Sequence, residues 1–308
     1  MAAPAKQREP DFEYGVCRQA ELPILVSQVD GAFISGKGRH ISLSERFPSV
    51  LHKENLHNIL VARVDSQPVA SLAMRTFEWN AYGNRWQGAM LGMVNTCTDY
   101  RGRGVASALL GSAERSMRER GLDFAVLWTG KPEFYARLGW SQSESGFLAT
   151  HDGDPNPGEA CSRELSVTGV AANVAWIESV RHRWQAKWVA RDSGAYQHLP
   201  IPAESVGVAK IDAKVQQGYV LFGRRGNTLI VYEMVGHPQS FDALWQYIRS
   251  HAGPVIINVI CGTLANKWLR CHTPARWTVQ HQAMWLSLSE RTHGVRWYEW
   301  HIPYFDRI

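Results

Sequence analysis

The chain has 308 residues, 45% of them hydrophobic and 20% charged, with 26 glycines and 14 prolines. That length and composition suit a soluble globular protein of two ordinary domains with sizeable cores. The formal charge of +5 comes from scattered Lys and Arg, so it gives no sign of a nucleic-acid partner, although a mildly basic surface suits an anionic cofactor. Five cysteines (Cys17, Cys97, Cys161, Cys261, Cys271) show no CxxC pair and no zinc-like spacing, which argues against a disulfide framework and for reduced thiols in the cytoplasm. The start, MAAPAKQREPDFEYG, lacks the apolar core of a signal peptide, and no apolar run reaches membrane-spanning length. A cytoplasmic protein without a membrane partner is expected.

Residues 1–11 are polar and read as a loose arm. Phe12 to Arg18 alternates like a strand, and Glu21 to Phe33 carries apolar residues at close to helical spacing. Leu43 to Leu51 suits a short helix. Asn58 to Val64, Val69 to Trp79 and Trp86 to Thr98 read as three sequential antiparallel strands, joined through Asp65-Ser66-Gln67-Pro68 and the turn at 80–84. A glycine-rich turn, Tyr100-Arg101-Gly102-Arg103-Gly104, then opens into a helix with Val105, Leu109, Ala113 and Met117 on one face. Phe124 to Trp128 is a further strand, and Glu133 to Gly139 a short aromatic helix. The composition His151-Asp152-Gly153-Asp154-Pro155-Asn156-Pro157-Gly158 marks a linker at 151–160.

In the second half, Val170 to Ala190 has helical spacing. Gly218 to Phe222 and Thr228 to Val235 flank Arg225-Gly226-Asn227 as a hairpin, followed by a helix over Ser240 to His251 and a buried strand over Pro254 to Ile260. Hairpin, helix, strand is also the order from Val61 to Trp128. The repetition suggests a duplication in which Gly236-His237-Pro238 replaces the glycine-rich turn.

The chemistry concentrates in Met90 to Trp140. A helix N-terminus leaves amide donors unpaired and adds partial positive charge. Glycines at 102 and 104 let those amides approach a phosphate, and Arg101 and Arg103 add cations. Gly102-x-Gly104 with Asp123 about 20 residues on begins like a dinucleotide fingerprint. Ser107 at the third glycine position, and the antiparallel strands upstream, argue against that reading. No GxxxxGK[ST] occurs, so a P-loop is excluded. Cys271, His272 and His281 fit no metal spacing, and no metal is expected.

Three segments together resemble the GNAT superfamily of N-acetyltransferases. Val94-Asn95-Thr96 is similar to its cofactor-facing strand. Arg101-Gly102-Arg103-Gly104-Val105-Ala106 resembles its R/Q-x-x-G-x-G/A pyrophosphate loop, and Phe134-Tyr135-Ala136-Arg137-Leu138-Gly139-Trp140 its F-Y-x-x-x-G-F/W segment. The likeness covers residues 12–150. Within the family the chain resembles the tandem, enhanced-intracellular-survival type of aminoglycoside acetyltransferase, although it ends at Ile308, too early for their sterol-carrier-like third domain. Segments such as Asp242-Ala243-Leu244-Trp245, Lys267-Trp268-Leu269 and Ala283-Met284-Trp285-Leu286 resemble the degenerate second domain of that type.

The resemblance implies an α/β (α+β mixed-sheet) fold of two tandem GNAT-like domains: a catalytic one at 12–150 and a degenerate one at 161–308. It implies acetyl transfer from acetyl-CoA to a primary amine by direct attack. Val94, Asn95 and Thr96 would hold the pantetheine on a strand that splays from Phe124 to Trp128. Arg101, Gly102, Arg103, Gly104, Val105 and Ala106 would hold the pyrophosphate, and Tyr135 would protonate the departing thiolate. Glu78, His57 and Glu133 leave the base unassigned; in tandem relatives the terminal carboxylate takes that part. The acceptor, a small-molecule or peptide amine, stays open, as does whether the second domain walls the substrate cleft or makes a homo-oligomer contact. A non-catalytic acyl-CoA-binding or interaction module is the competing expectation.

Overall fold

The structure, a computed structural model, describes residues 10–35, 41–143, 146–152, 165–191, 196, 207–260, 262–273, 275–279 and 283–308. Most of the expected arm at 1–11, the glycine break at 36–38 and residues 153–160 of the expected linker lie outside them, as do Cys161, Cys261 and His281. By contact, the described parts of Met1–Arg75 with Leu91–Arg120 make one compact unit. Thr76–Met90 with those of Gly121–Ile308 make the other.

The first unit contains β1 (Glu13–Val16), α1 (Leu22–Phe33), α2 (Leu43–Arg46) and β2 (Ile59–Val64), with parts of two long strands, β3 (Gln67–Ala81) and β4 (Asn84–Thr96), and α3 (Val105–Glu119). The strand order is β1-β2-β3-β4, and the β1–β2 and β2–β3 pairs are antiparallel (Tyr14↔Ala62, Leu60↔Leu72). β2 reads Ile-Leu-Val-Ala-Arg-Val, a β-branched run suited to a buried central strand. The turn after it has positive φ at both central residues, Asp65 (49°) and Ser66 (64°), the geometry that matches the twist of a two-residue hairpin. The turn after β3 repeats it with Tyr82 (52°) and Gly83 (79°), in the second unit.

The second unit adds β5 (Phe124–Trp128), α4 (Pro132–Ala136), β6 (Ser141–Gln142), β7 (Gly146–His151), β8 (Leu165–Gly169), α5 (Val174–Trp184), β9 (Lys187–Val189), β10 (Gly207–Asp212), β11 (Gln217–Arg225), β12 (Thr228–Gly236), α6 (Phe241–Arg249), β13 (Val255–Ile260), α7 (Leu264–His272), β14 (Arg276–Val279) and β15 (Ala283–Ser287). Within it the described strands form two sheets. One runs β4-β5-β15-β6 with β9 on β3; the other runs β14-β7-β13-β12-β11-β10-β8. The repetition read from the sequence is present. β4 runs parallel to β5 over three pairs, Gly88↔Phe124 to Met90↔Val126, and β12 runs parallel to β13 over three, Leu229↔Val255 to Val231↔Ile257.

Three segments depart from the sequence reading. Ala283 to Leu286, assigned to the second domain, pairs with β5 in the first sheet (Trp285↔Val126), while β7 of the first half pairs with β13 and β14 in the second. Each half thus contributes a strand to the other sheet, an exchange that local pattern does not encode. Lys187–Val189 is not the end of a helix: it bonds to the edge of β3 (Trp79↔Val189). Trp79, Trp285 and Trp300 are buried with Phe124 and Val126 in a tryptophan-rich cluster, which also takes Trp86, Trp128 and Trp297 at its margin.

Candidate active site

β4 is kinked by its own backbone. Met93 sits in the strand with φ of 56°, a conformation disfavoured for a side chain of that size. The parallel ladder to β5 ends three residues earlier, at Met90↔Val126. Upstream, the absence of a side chain at Gly88 is needed, since a Cβ there would lie 2.5 Å from Phe124 Cζ. Val94, Asn95 and Thr96 follow the kink, with Asn95 buried and its neighbours half-buried.

The chain then turns. Cys97 N donates to Val69 O (2.8 Å), and a 3-10 turn over Thr98–Tyr100 leads to Gly102 (φ 76°) and Gly104 (φ 78°). Both φ values suit glycine, and Gly104 is the N-cap of α3 without any side-chain cap. The first helical bond runs from Ala108 N to Gly104 O (3.0 Å). The amides of Gly102, Arg103, Gly104, Val105 and Ala106 have no acceptor among the described residues, and a Cβ at either glycine would meet nothing within 4 Å. These glycines do not close a crowded corner; they leave a row of amides bare. Beneath them α3 is anchored by buried Val105, Leu109, Leu110, Ala113 and Met117 and ended by Gly121 at φ 69°. Arg101 differs from expectation. Its Nε donates to Thr96 O (2.9 Å), so part of its role is to tie the turn to the strand, and the Thr96 carbonyl is already engaged.

Tyr135 lies in the second unit, on α4, which Pro132 starts at a position where no amide is needed. Its side chain is enclosed, with the residue 8% exposed, edge-on to Phe134 (5.0 Å) and Trp140 (6.1 Å). Burial pushes its phenol up to about 12. It is therefore a proton donor across the neutral range, and its hydroxyl has no partner among the described residues. Leu138 N and Trp140 N both donate to Tyr135 O (2.9 and 3.2 Å), with Gly139 at φ 85° reversing the chain between them.

None of the base candidates gains distinction. Glu78 accepts from Asn80 (2.9 Å) and lies 3.8 Å from Arg85; His57 contacts Asn58 (3.1 Å); Glu133 is exposed. Asp123, the residue a dinucleotide site would use, is buried and occupied: Gln87 N donates to it at 2.9 Å, Ser289 Oγ at 2.9 Å and Arg291 Nη1 at 3.0 Å. No metal-holding group of three or more His, Cys, Asp or Glu occurs among the described residues. His272 stacks on Trp268 instead (4.7 Å).

The corresponding turn of the second half is closed. A Cβ at Gly236 would lie 2.4 Å from Gly218 Cα, and one at Gly218 would lie 2.1 Å from Ser240 Oγ. His237 caps Gln239 N with its own ring (3.3 Å). Beyond the β12–β13 ladder remains a cavity of about 20 Å³ bordered by Tyr232, Met234, Ile257 and Val259, room for about one water.

Comparison with known proteins bears on this arrangement. The family described as an acetyltransferase (GNAT) domain matches residues 18–143. Among solved structures, a GCN5-related N-acetyltransferase from Kribbella flavida is similar, with a TM-score of 0.70 at 18% identity over 90% of this chain and 71% of its own. One from Anabaena variabilis gives 0.70 at 18% over 91% and 73%, and Eis1 from Mycobacterium abscessus 0.62 at 15% over 90% and 74%. At these identities the likeness establishes the fold. No curated protein matches the chain.

Proposed function

We propose that the chain, whose residues 18–143 match the acetyltransferase (GNAT) domain family, moves an acetyl group from acetyl-CoA to a primary amine by direct attack. The observation that carries this reading is the row of bare amides from Gly102 to Ala106 at the start of α3, held open by two glycines in left-handed conformation. Backbone donors and the helix dipole suit a pyrophosphate. Val94 and the Thr96 N–H, past the kink at Met93, are the groups for the pantetheine amides; the Thr96 carbonyl would first have to exchange Arg101. Tyr135, protonated and mostly buried, is the group to protonate the thiolate as it leaves.

In this reading the amine loses its proton, its nitrogen attacks the thioester carbonyl, and the carbon–sulfur bond breaks. Acetyl-CoA is a co-substrate, and the chain's part is to hold it and supply the departing proton. Thiol release on a panel of primary amines tests the activity: release with at least one amine, dependent on acetyl-CoA, is expected. Acetyl-CoA binding without release on any amine would favour a non-catalytic binding module.

A further inference from the structure

Within the first unit, one hydrogen bond ties the glycine turn to the strand before it. Arg101 Nε donates to the Thr96 carbonyl at 2.9 Å, five residues back along the chain. Thr96 ends β4, and the backbone groups of an antiparallel strand alternate in direction from residue to residue. Cys97 N points to β3, where it donates to Val69 O at 2.8 Å. The groups of Thr96 therefore face away from β3, the side on which a pantetheine amide would add as a strand. Arg101 already holds the acceptor there.

The hold is exchangeable. Arg101 is exposed, and the bond uses Nε alone; its two terminal nitrogens have no partner among the described residues. The amide of Gly102, first of the bare row, is bonded to the carbonyl carbon of Arg101 itself. An anion at that amide thus lies within the sweep of the Arg101 side chain. A guanidinium makes two parallel charge-assisted bonds to a phosphate, against the single bond it makes to Thr96. Arg101 therefore leaves Thr96 for a diphosphate on the turn, whereas a pantetheine carries no charge with which to draw it away.

We infer that Arg101 is a specificity-determining residue, which gives up the Thr96 carbonyl only to a ligand that brings a diphosphate to the turn. The inference rests on the acetyltransferase reading above and adds a selection to it. Arg101 bars a pantetheine thioester that lacks the nucleotide end and favours one that has it. Arg103, the other cation of the turn, has no bond to the strand among the described residues and does not play this part.

Calorimetric titration of the full chain with pantetheine and, separately, with ADP tests it, on the parent, Arg101→Ala and Arg103→Ala. Loss of a cation alone weakens ADP and leaves pantetheine unmoved, which is the result expected of Arg103→Ala. In Arg101→Ala the two move in opposite directions: ADP binds about tenfold more weakly, and pantetheine about fivefold more tightly. The second figure corresponds to a Thr96 carbonyl left free about one-fifth of the time in the parent, since apparent affinity scales with the competent fraction. Arg101 is exposed, so its truncation removes no buried contact, and circular dichroism checks that the variant is folded. Pantetheine affinity equal to or below the parent's in folded Arg101→Ala contradicts the inference, as does no detectable pantetheine binding by that variant at millimolar concentration. Unchanged ADP affinity in Arg101→Ala, or an equal gain of pantetheine affinity in Arg103→Ala, contradicts it as well. If the parent binds no acetyl-CoA in the same calorimeter, the acetyltransferase reading itself is what has failed.

Discussion

Gly102, Gly104 and Tyr135 divide the proposed chemistry between backbone and side chain. At the two glycines the useful groups are amides, so their exposure matters more than the side chains nearby. At Tyr135 burial sets the protonation state. With the phenol pushed up to about 12, the folded form keeps its proton where an unfolded tyrosine, at its ordinary value near about 10, would lose it. Burial therefore contributes stability that is intact below pH about 10 and is lost as pH rises toward 12. Tyr135→Phe should lower turnover by about a hundredfold or more while leaving acetyl-CoA affinity unchanged, measured by thiol release and calorimetry. The parent's pH–rate profile should show no alkaline break from this group below pH about 10. The glycines and the tyrosine were legible in the sequence as residue types at known spacing. The engagement of Arg101 with Thr96 was not, because a flexible side chain reads equally well as a free cation.

Among the elements, β4 shows how much a strand's identity leaves unsaid. Its extent was readable from the apolar run, but the positive φ at Met93 has no sequence signal, since nothing distinguishes that methionine from one in a regular strand. The structure gives Gly88 a clear purpose. Phe124 and Phe77 fill the space a side chain would take, with Phe77 and Phe124 themselves edge-on at 5.6 Å. Gly88→Ala should cost about 1–3 kcal/mol by overpacking, read as a lower urea midpoint. A midpoint equal to the parent's would mean that the rings yield freely. Helix α3 buries the face its spacing marked, Val105, Leu109, Ala113 and Met117, and α6, read only as a helix, buries Leu244 and Ile248.

For the molecule as a whole, the duplication was visible as a repeated order of elements, whereas the exchange of strands was not. Ala283 to Ser287 pairs with β5, which lies in the other half of the chain, and no local pattern records a partner at such a distance. A fragment of residues 1–152 therefore lacks the strand that covers β5 and the partners of β7. It should aggregate rather than fold, because a bare hydrophobic edge invites pairing with other chains. A monomeric, cooperatively unfolding fragment by size-exclusion and circular dichroism would contradict that expectation. The same comparison of halves bears on how many cofactors the proposed function assigns to one chain. The turn at Gly102–Gly104 is open, and its counterpart at Gly236–Ser240 is filled by its own backbone and by Ser240. Calorimetric titration with acetyl-CoA tests this most directly, on the parent and on Gly104→Glu, which sets a carboxylate and a strained φ in the cradle. Saturable binding of one acetyl-CoA per chain, lost in the variant, is expected. No saturation at millimolar acetyl-CoA, or equal binding by Gly104→Glu, would contradict it.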